Sequence, residues 1–399
     1  MSTTSSQPFP RPREGTPLYV HLPFCAAKCH YCDFFSVPAE GHDRGAMIEA
    51  ILREADHWAP RSPRTLFLGG GTPSLLSAEE LKRLLDGLDE RTGWRSSALE
   101  RTAECNPESL DEAKAAALVE LGITRLSIGF QSLDPDTLRL FGRVHEVETS
   151  FAAFDAARRA GVRALNVDLI YAVPNQRLED WLRDLERVLA LQPEHLSAYN
   201  LTFEEETLFR KWLEEGRLER LPEERELSFF QATRERLSQA RLDAYEISNF
   251  SLNGYQCQHN LNYWHNGEYA GLGPSAVSKV GQQRRGNHKG IQGYTRRMEE
   301  QAQACAWSEE PSSRARLAET WWLGLRLSEG LSAREARERA GHAGPDEDFA
   351  RLALQLQQQG LLELGGEERW RLSAAGLPLA DYVARQFLAL SQRVGSCPS

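Results

Sequence analysis

The chain has 399 residues, with 47 Lys and Arg against 57 Asp and Glu for a formal net charge of −10, and 41% of it is apolar. That length accommodates roughly two or three domains, or one large barrel with an appendage, and the apolar share supports a sizeable core. The acidic balance argues against a surface that coats nucleic acid and against a polybasic membrane patch, and no run reaches the ~18 apolar residues of a membrane span.

The N-terminal stretch MSTTSSQPFPRPREGTP is polar and proline-rich and has no apolar h-region. Residues 1–16 therefore read as a disordered tail rather than a secretory signal. An odd count of seven cysteines without a signal points to a reducing cytoplasm, where clustered thiols more often mean metal than disulfide.

From residue 17 an alternation sets in. LYVHL (18–22), TLFLGG (65–70), RTAECN (101–106), RLSIGF (125–130), ALNVDLIY (164–171) and HLSAYNLT (195–202) are short β-rich runs, mostly ending in Gly or polar residues. Helical stretches lie between them at 44–58, 77–91, 110–122, 148–161 and 177–191. The second opens with Ser77 and carries Glu80 three positions on, a capping box. Strand then helix, repeated about six times, predicts a parallel sheet with right-handed crossovers. The expected fold class is α/β, a partial (β/α)6 TIM-type barrel over 17–280.

After residue ~225 the pattern changes. Residues 224–240 read as a helix and AYEISNFS (244–251) as a strand, followed by a loop dense in aromatic and amide residues, GYQCQHNLNYWHNGEYAGLGPSAVS. Residues 281–399 read as a C-terminal, mostly helical domain. Its last part, short helices followed by GLLELGGEERWRLSAAG, resembles a winged helix. The missing Lys/Arg cluster there favours packing over DNA binding, since fold alone does not give function.

Three of the seven cysteines fall in CAAKCHYC directly after the first strand: Cys25, Cys29 and Cys32. Three thiolates on one short loop can converge on one point. Iron–sulfur clusters use thiolates, usually four for a [4Fe–4S] cube; with three, one iron keeps an open position for a ligand. Zinc completed by His21 or His30 is the alternative, but no second C-x2-C or H-x3-H pair follows. Unliganded thiols would invite oxidation.

Polar groups also recur at the strand ends: Gly69, Gly70, Gly71 and Thr72 at the second, Glu104 and Asn106 at the third, Gln131 at the fourth with Arg143 beyond it, and Asn166, Asp168 and Gln176 at the fifth. In a β/α barrel these ends converge on one face. Any one of them reads as a cap or loop anchor; five consecutive ends together do not.

C-x3-C-x2-C with Tyr31 before the third Cys resembles the signature of the radical S-adenosylmethionine (SAM) superfamily. The resemblance implies a cluster whose fourth iron is chelated by SAM, and a reduced cluster that passes an electron to the sulfonium. The strand-end segments are similar to the oxygen-independent coproporphyrinogen III oxidase family of radical SAM proteins, from about residue 17 to the C-terminus. Carried over by position, this implies cluster ligation by Cys25, Cys29 and Cys32. It also implies SAM contacts from Tyr19, Tyr31, Gly70, Gly71, Thr72, Glu104, Gln131, Arg143 and Asp168.

Two branches of that family are open, the porphyrinogen oxidase and the HemW-type haem chaperone. The oxidases resemble C-x3-C-x2-C-x-C, and here Phe34 stands at the added cysteine; they also carry a longer segment ahead of the motif. His259-Asn260-x-x-Tyr263-Trp264 resembles the H-N-x-x-Y-W pattern of the chaperone branch. That branch implies a protein that binds haem and delivers it to haem proteins, transiently meeting membrane-bound respiratory enzymes. His259 is the candidate axial ligand, with His265, Cys257 and Tyr263 as rivals and a structural role as the alternative. Three methionines, one the initiator, argue against a Met ligand.

Overall fold

In the computed structural model, which describes residues 9–392, the six expected strands form one sheet. They are β1 (Leu18–Leu22), β2 (Thr65–Gly70), β3 (Glu100–Cys105), β4 (Arg125–Gln131), β5 (Ala164–Tyr171) and β6 (His195–Asn200). Every neighbouring pair is parallel, and each strand lies beside its predecessor. A doubly wound sheet would reverse its order at a switch point; this one does not, and it is the partial barrel expected from the sequence. The strands run buried on both faces, as in β5, because helices pack outside and side chains fill the inside.

The helices have local reasons to form. In Ala78–Thr92 the Ser77 hydroxyl accepts from the Glu80 N–H, and the Glu80 carboxylate accepts from the Ser77 N–H. Leu81, Leu84, Leu85 and Leu88 recur at helical spacing and are all buried. Gly93 then ends the helix in the left-handed conformation that glycine tolerates best.

The sheet is extended at both edges. Strands β7 (Asp243–Ala244) and β8 (Asn249–Ser251) add antiparallel beside β6, and β9 (Ala270–Leu272) adds parallel beside β1. The segment 244–251 is thus a tight hairpin rather than the single strand expected. The amide-rich stretch after it is not a loop throughout, because Gln258–Trp264 is helical.

Residues 1–8 of the expected disordered tail lie outside the described residues. Residues 9–16 are packed, unlike the expectation: Phe9 meets Trp58 edge-on at 5.1 Å, Gly15 N–H donates to the Arg61 carbonyl at 3.0 Å, and Thr16 is buried. The apolar Phe9 finds a partner that no local pattern announces.

Residues 291–304, assigned from sequence to the C-terminal domain, pack into the barrel core through Ile291, Tyr294, Met298 and Ala304. Glu54 on the helix Arg44–Trp58 holds them there. Its carboxylate accepts from Gly273 N–H (2.9 Å), Asn287 (2.8 Å) and Tyr294 (2.8 Å) and pairs with Arg285 at 3.3 Å. A second core forms around Leu317, Trp321, Phe349, Trp370 and Phe387. Its helices and its three-stranded sheet, in the spatial order 331–332, 369–372, 362–364, give the winged-helix arrangement.

Candidate functional site

The cysteine loop is pinned before it can serve any ligand. Phe24–Cys25 pairs in parallel with Val37–Pro38, closing the loop at its base. At its tip, His30 N–H donates to the Phe141 carbonyl (2.9 Å), and Phe209 N–H donates to the His30 carbonyl (3.0 Å). His30 Nδ1–H donates to the Leu140 carbonyl at 2.8 Å while its ring packs on Trp212. His21 uses both ring nitrogens, donating to the Phe35 carbonyl (2.8 Å) and accepting from the Tyr19 hydroxyl (2.9 Å). Neither histidine that would complete a Cys3His zinc site is among the residues lining the cavity that the three thiols share.

The three thiols open into one cavity of ≈ 1040 Å³. Burial first, then the neighbouring thiols, pushes Cys32 up to about 11, and burial raises Cys25 as well. Polar hydrogens already point at the sulfurs: Thr72 Oγ1 donates to Cys25 Sγ at 3.5 Å, and Arg143 Nη1 donates to Cys29 Sγ at 3.6 Å. Arg143 Nη2 donates to Asn106 Oδ1 (2.8 Å), and Asn106 Nδ2 donates to Thr72 Oγ1 (2.9 Å). A chain of hydrogen bonds thus runs from one sulfur to another through the ends of β2 and β3. Three clustered sulfurs with hydrogen bonds aimed at them fit an iron–sulfur cluster, whose ligands are thiolates tuned by such bonds. Asn106 is the link that sequence reading noted at a strand end but gave no role; only the fold shows that it joins Arg143 to Thr72.

Tyr31, Gly70, Gly71, Thr72, Glu104, Gln131, Arg143 and Asp168 line the same cavity as the cysteines. Glu104 Oε2 accepts from Gly70 N–H at 3.1 Å. Burial, then the nearby Asp168 carboxylate, pushes Glu104 up to about 7, against the pull of the Gly70 N–H. Asp168 accepts from Ser127 Oγ and Asn166 Nδ2, both at 2.8 Å, and burial raises it too. Gln131 has φ 64° at the bulge that ends β4, a conformation costly for a non-glycine residue and concentrated at functional sites.

Gly71 shows how tightly this end is built. A Cβ there would lie 2.6 Å from the Phe24 carbonyl and 2.7 Å from that of Leu22, on the segment leading into Cys25. Gly71→Ala is expected to destabilise the protein by about 2 kcal/mol through this overpacking, read as a lowered Tm in thermal denaturation. An unchanged Tm would show that the segment yields freely.

Two expected site residues stand apart. Tyr19 is half-buried, packed against His21 and Phe67, and is not among the cavity-lining residues. His259, the candidate haem ligand, is 1% exposed with both ring nitrogens occupied: Nδ1 lies 2.7 Å from Thr65 Oγ1, at the start of β2, and Nε2 3.0 Å from the Tyr263 hydroxyl. Burial holds it down to about 3. It is a core histidine of the barrel's other end. Among its rivals, Tyr263 is its bonding partner, Cys257 contacts Glu100, and His265 meets Glu329 at the surface.

Comparison with known proteins agrees with this geometry. The family described as "Radical SAM superfamily" matches residues 19–188, and "HemN C-terminal domain" matches 312–379. "Heme chaperone HemW" of Bacillus subtilis (strain 168) is 32% identical over 374 residues, spanning 93% of this chain and 98% of that protein. "Heme chaperone HemW" of Escherichia coli (strain K12) is 39% identical over 271 residues, 66% of this chain and 70% of that protein. The solved structure described as "Coproporphyrinogen III oxidase (HemN) from Escherichia coli is a Radical SAM enzyme" superposes with a TM-score of 0.79. It covers 94% of this chain and 90% of that one at 23% identity, a likeness of fold.

Proposed function

The chain belongs to the HemW-type family of radical SAM proteins, and from that premise we propose that it binds haem and delivers it to haem proteins. The relatives' printed names support haem as the ligand. The observation that carries the reading is the shape of the cavity. It reaches from the three cysteines to a mouth lined by Phe34, Tyr199, Leu227, Phe230 and Leu379. At ≈ 1040 Å³ it just exceeds the ~300–1,000 Å³ usual for one small-molecule site, which supports room for a flat apolar ligand beside SAM. Phe34, 65% exposed, presents a ring to this space where the oxidases resemble a cysteine.

In this reading Cys25, Cys29 and Cys32 hold a [4Fe–4S] cluster. Gly70, Gly71, Thr72, Glu104, Gln131, Arg143 and Asp168 surround SAM, with Tyr31 packed behind the cluster and Tyr19 supporting from the core. A bound cluster supplies one-electron chemistry to SAM. In this reading Arg143, held by Asn106 and Gly129 with its Nε unpartnered, meets the carboxylate of SAM. Glu104 and Asp168 accept from its hydroxyl or amine groups. No helix among the described residues is long and apolar enough to cross a membrane; the carrier of this reading is cytoplasmic and meets membrane-bound acceptors transiently.

Anaerobically reconstituted protein tests the proposal. Haem titration is expected to give a shifted Soret band that saturates near one haem per chain and survives gel filtration. Consumption of coproporphyrinogen III with SAM and reductant, without retained haem, would replace the chaperone with the oxidase.

A further inference from the structure

The cavity mouth carries a cation with no role in the site already described. Among the residues lining the cavity, Arg125, Arg143 and Arg326 are the arginines, and there is no lysine. Arg125 is buried at the start of β4, paired with Glu100 at 3.2 Å and bonded to the Tyr255 carbonyl. Arg143 belongs to the SAM site of the reading above and is bonded to Asn106, Gly129 and Cys29. Arg326 stands at the mouth, just past the helix Ser313–Leu325, where the C-terminal domain meets the barrel.

Its setting is that of a held anion receptor. The guanidinium lies over Trp264 at 5.3 Å and Trp322 at 5.7 Å, one ring from each domain. Stacking on aromatic faces fixes the plane of an arginine while leaving its edge to bond. Nη1 donates to Asp381 Oδ1 at 2.8 Å, but Asp381 is 81% exposed, and Nε is buried without a partner. An exposed ion pair of this kind is weak and can be exchanged. The rest of the rim is acidic: Glu204, Glu223, Glu224 and Glu226 line the same mouth. Beside these glutamates Arg326 is the cation that can receive an entering carboxylate. Leu227, Phe230, Leu377 and Leu379 offer apolar surface to the body of the same molecule.

Resting on the haem reading above, we propose that Arg326 is the propionate receptor of the haem site: one propionate replaces Asp381 on its guanidinium while the macrocycle lies on the apolar mouth.

The test is a comparison of haemin with haemin dimethyl ester, which keeps the macrocycle and loses both charges. Wild type is expected to bind haemin more tightly than the ester. Arg326→Gln is expected to weaken haemin about tenfold and leave the ester unchanged. Arg326→Lys keeps the charge but not the planar fork and falls between. Asp381→Asn frees the guanidinium and is expected to tighten haemin a few-fold without touching the ester; it keeps the test alive should Arg326→Gln fold poorly. Equal loss of both ligands in Arg326→Gln together with an unmoved Asp381→Asn would overturn the assignment, as would haemin binding indifferent to both changes. Failure of wild type to bind either ligand would instead overturn the haem reading and this inference with it.

Discussion

Cys25→Ala, Cys29→Ala and Cys32→Ala are each expected to abolish the cluster, lowering iron after anaerobic reconstitution from about four per chain to below one. Three ligands already leave one iron open, so losing another leaves too few to retain the cube. Among the described residues the other thiols of the cavity wall, Cys105 and Cys257, are turned to other partners, Cys257 to Glu100. Thr72 and Arg143 donate to sulfurs and cannot ligate in their place. Cys105 lies in the cavity wall, but its Sγ turns back on the Ala103 carbonyl at 3.8 Å, and burial raises it to about 12. Cys105→Ala should therefore keep its iron, which makes it the control for thiol loss as such. SAM affinity, measured by calorimetry, should vanish in the three ligand variants and persist in the control. Full iron in any of the three would mean that the cysteines do not hold the cluster.

The sheet and its polar ends were legible because the signals are local. Strands buried on both faces must be apolar runs, helices between them carry caps such as Ser77 with Glu80, and in a barrel the strand ends share one face. What escaped was fixed at long range. The helix Gln258–Trp264 is amide-rich and a poor helix former on its own. Its free N–H groups at Gln258 and His259 both donate to Glu100, each at 3.0 Å, a cap some 158 residues away in sequence. The hairpin at 244–251 has no Gly or Pro in its turn; the Glu246 carboxylate accepts from Ser248 N–H at 3.1 Å instead. Residues 291–304 join the barrel through Glu54, again a distant carboxylate. His259 too is held at long range: the sequence left it open between haem ligand and structural histidine, and Thr65 at the barrel's other end takes one ring nitrogen and Tyr263 the other.

The other large effect is a pH dependence written into Glu104. The side chain is half-buried in the cavity wall, faced by Asp168 from β5, Tyr19 from β1 and Tyr199 from β6. In the unfolded chain it titrates near its ordinary value of 4.5, and in the folded apoprotein near about 7. Between these values the folded state keeps a proton that the unfolded state has released, so stability declines as pH rises through that window. The decline from this group amounts to about 3 kcal/mol and is complete by pH ~8, where the ionised carboxylate lies half-buried beside Asp168. Glu104→Gln carries no proton to lose. The variant should match wild-type apoprotein near pH ~5 and exceed it by about 3 kcal/mol near pH ~8. The difference between the two reports the Glu104 proton together with its coupling to Asp168, while a distant buried group such as His259 is present in both. Chemical denaturation across that range measures it, and parallel wild-type and variant curves would show that Glu104 ionises normally in the fold. The ligand reverses the sign. If SAM donates to the Glu104 carboxylate as proposed, it binds the ionised form, so wild-type affinity should rise with pH through ~7 and binding should release a proton. Glu104→Gln should bind SAM more weakly and without that rise. The carboxylate that makes the empty barrel least stable at neutral pH is then the one poised to receive the cofactor, the kind of cost a functional site carries for its chemistry.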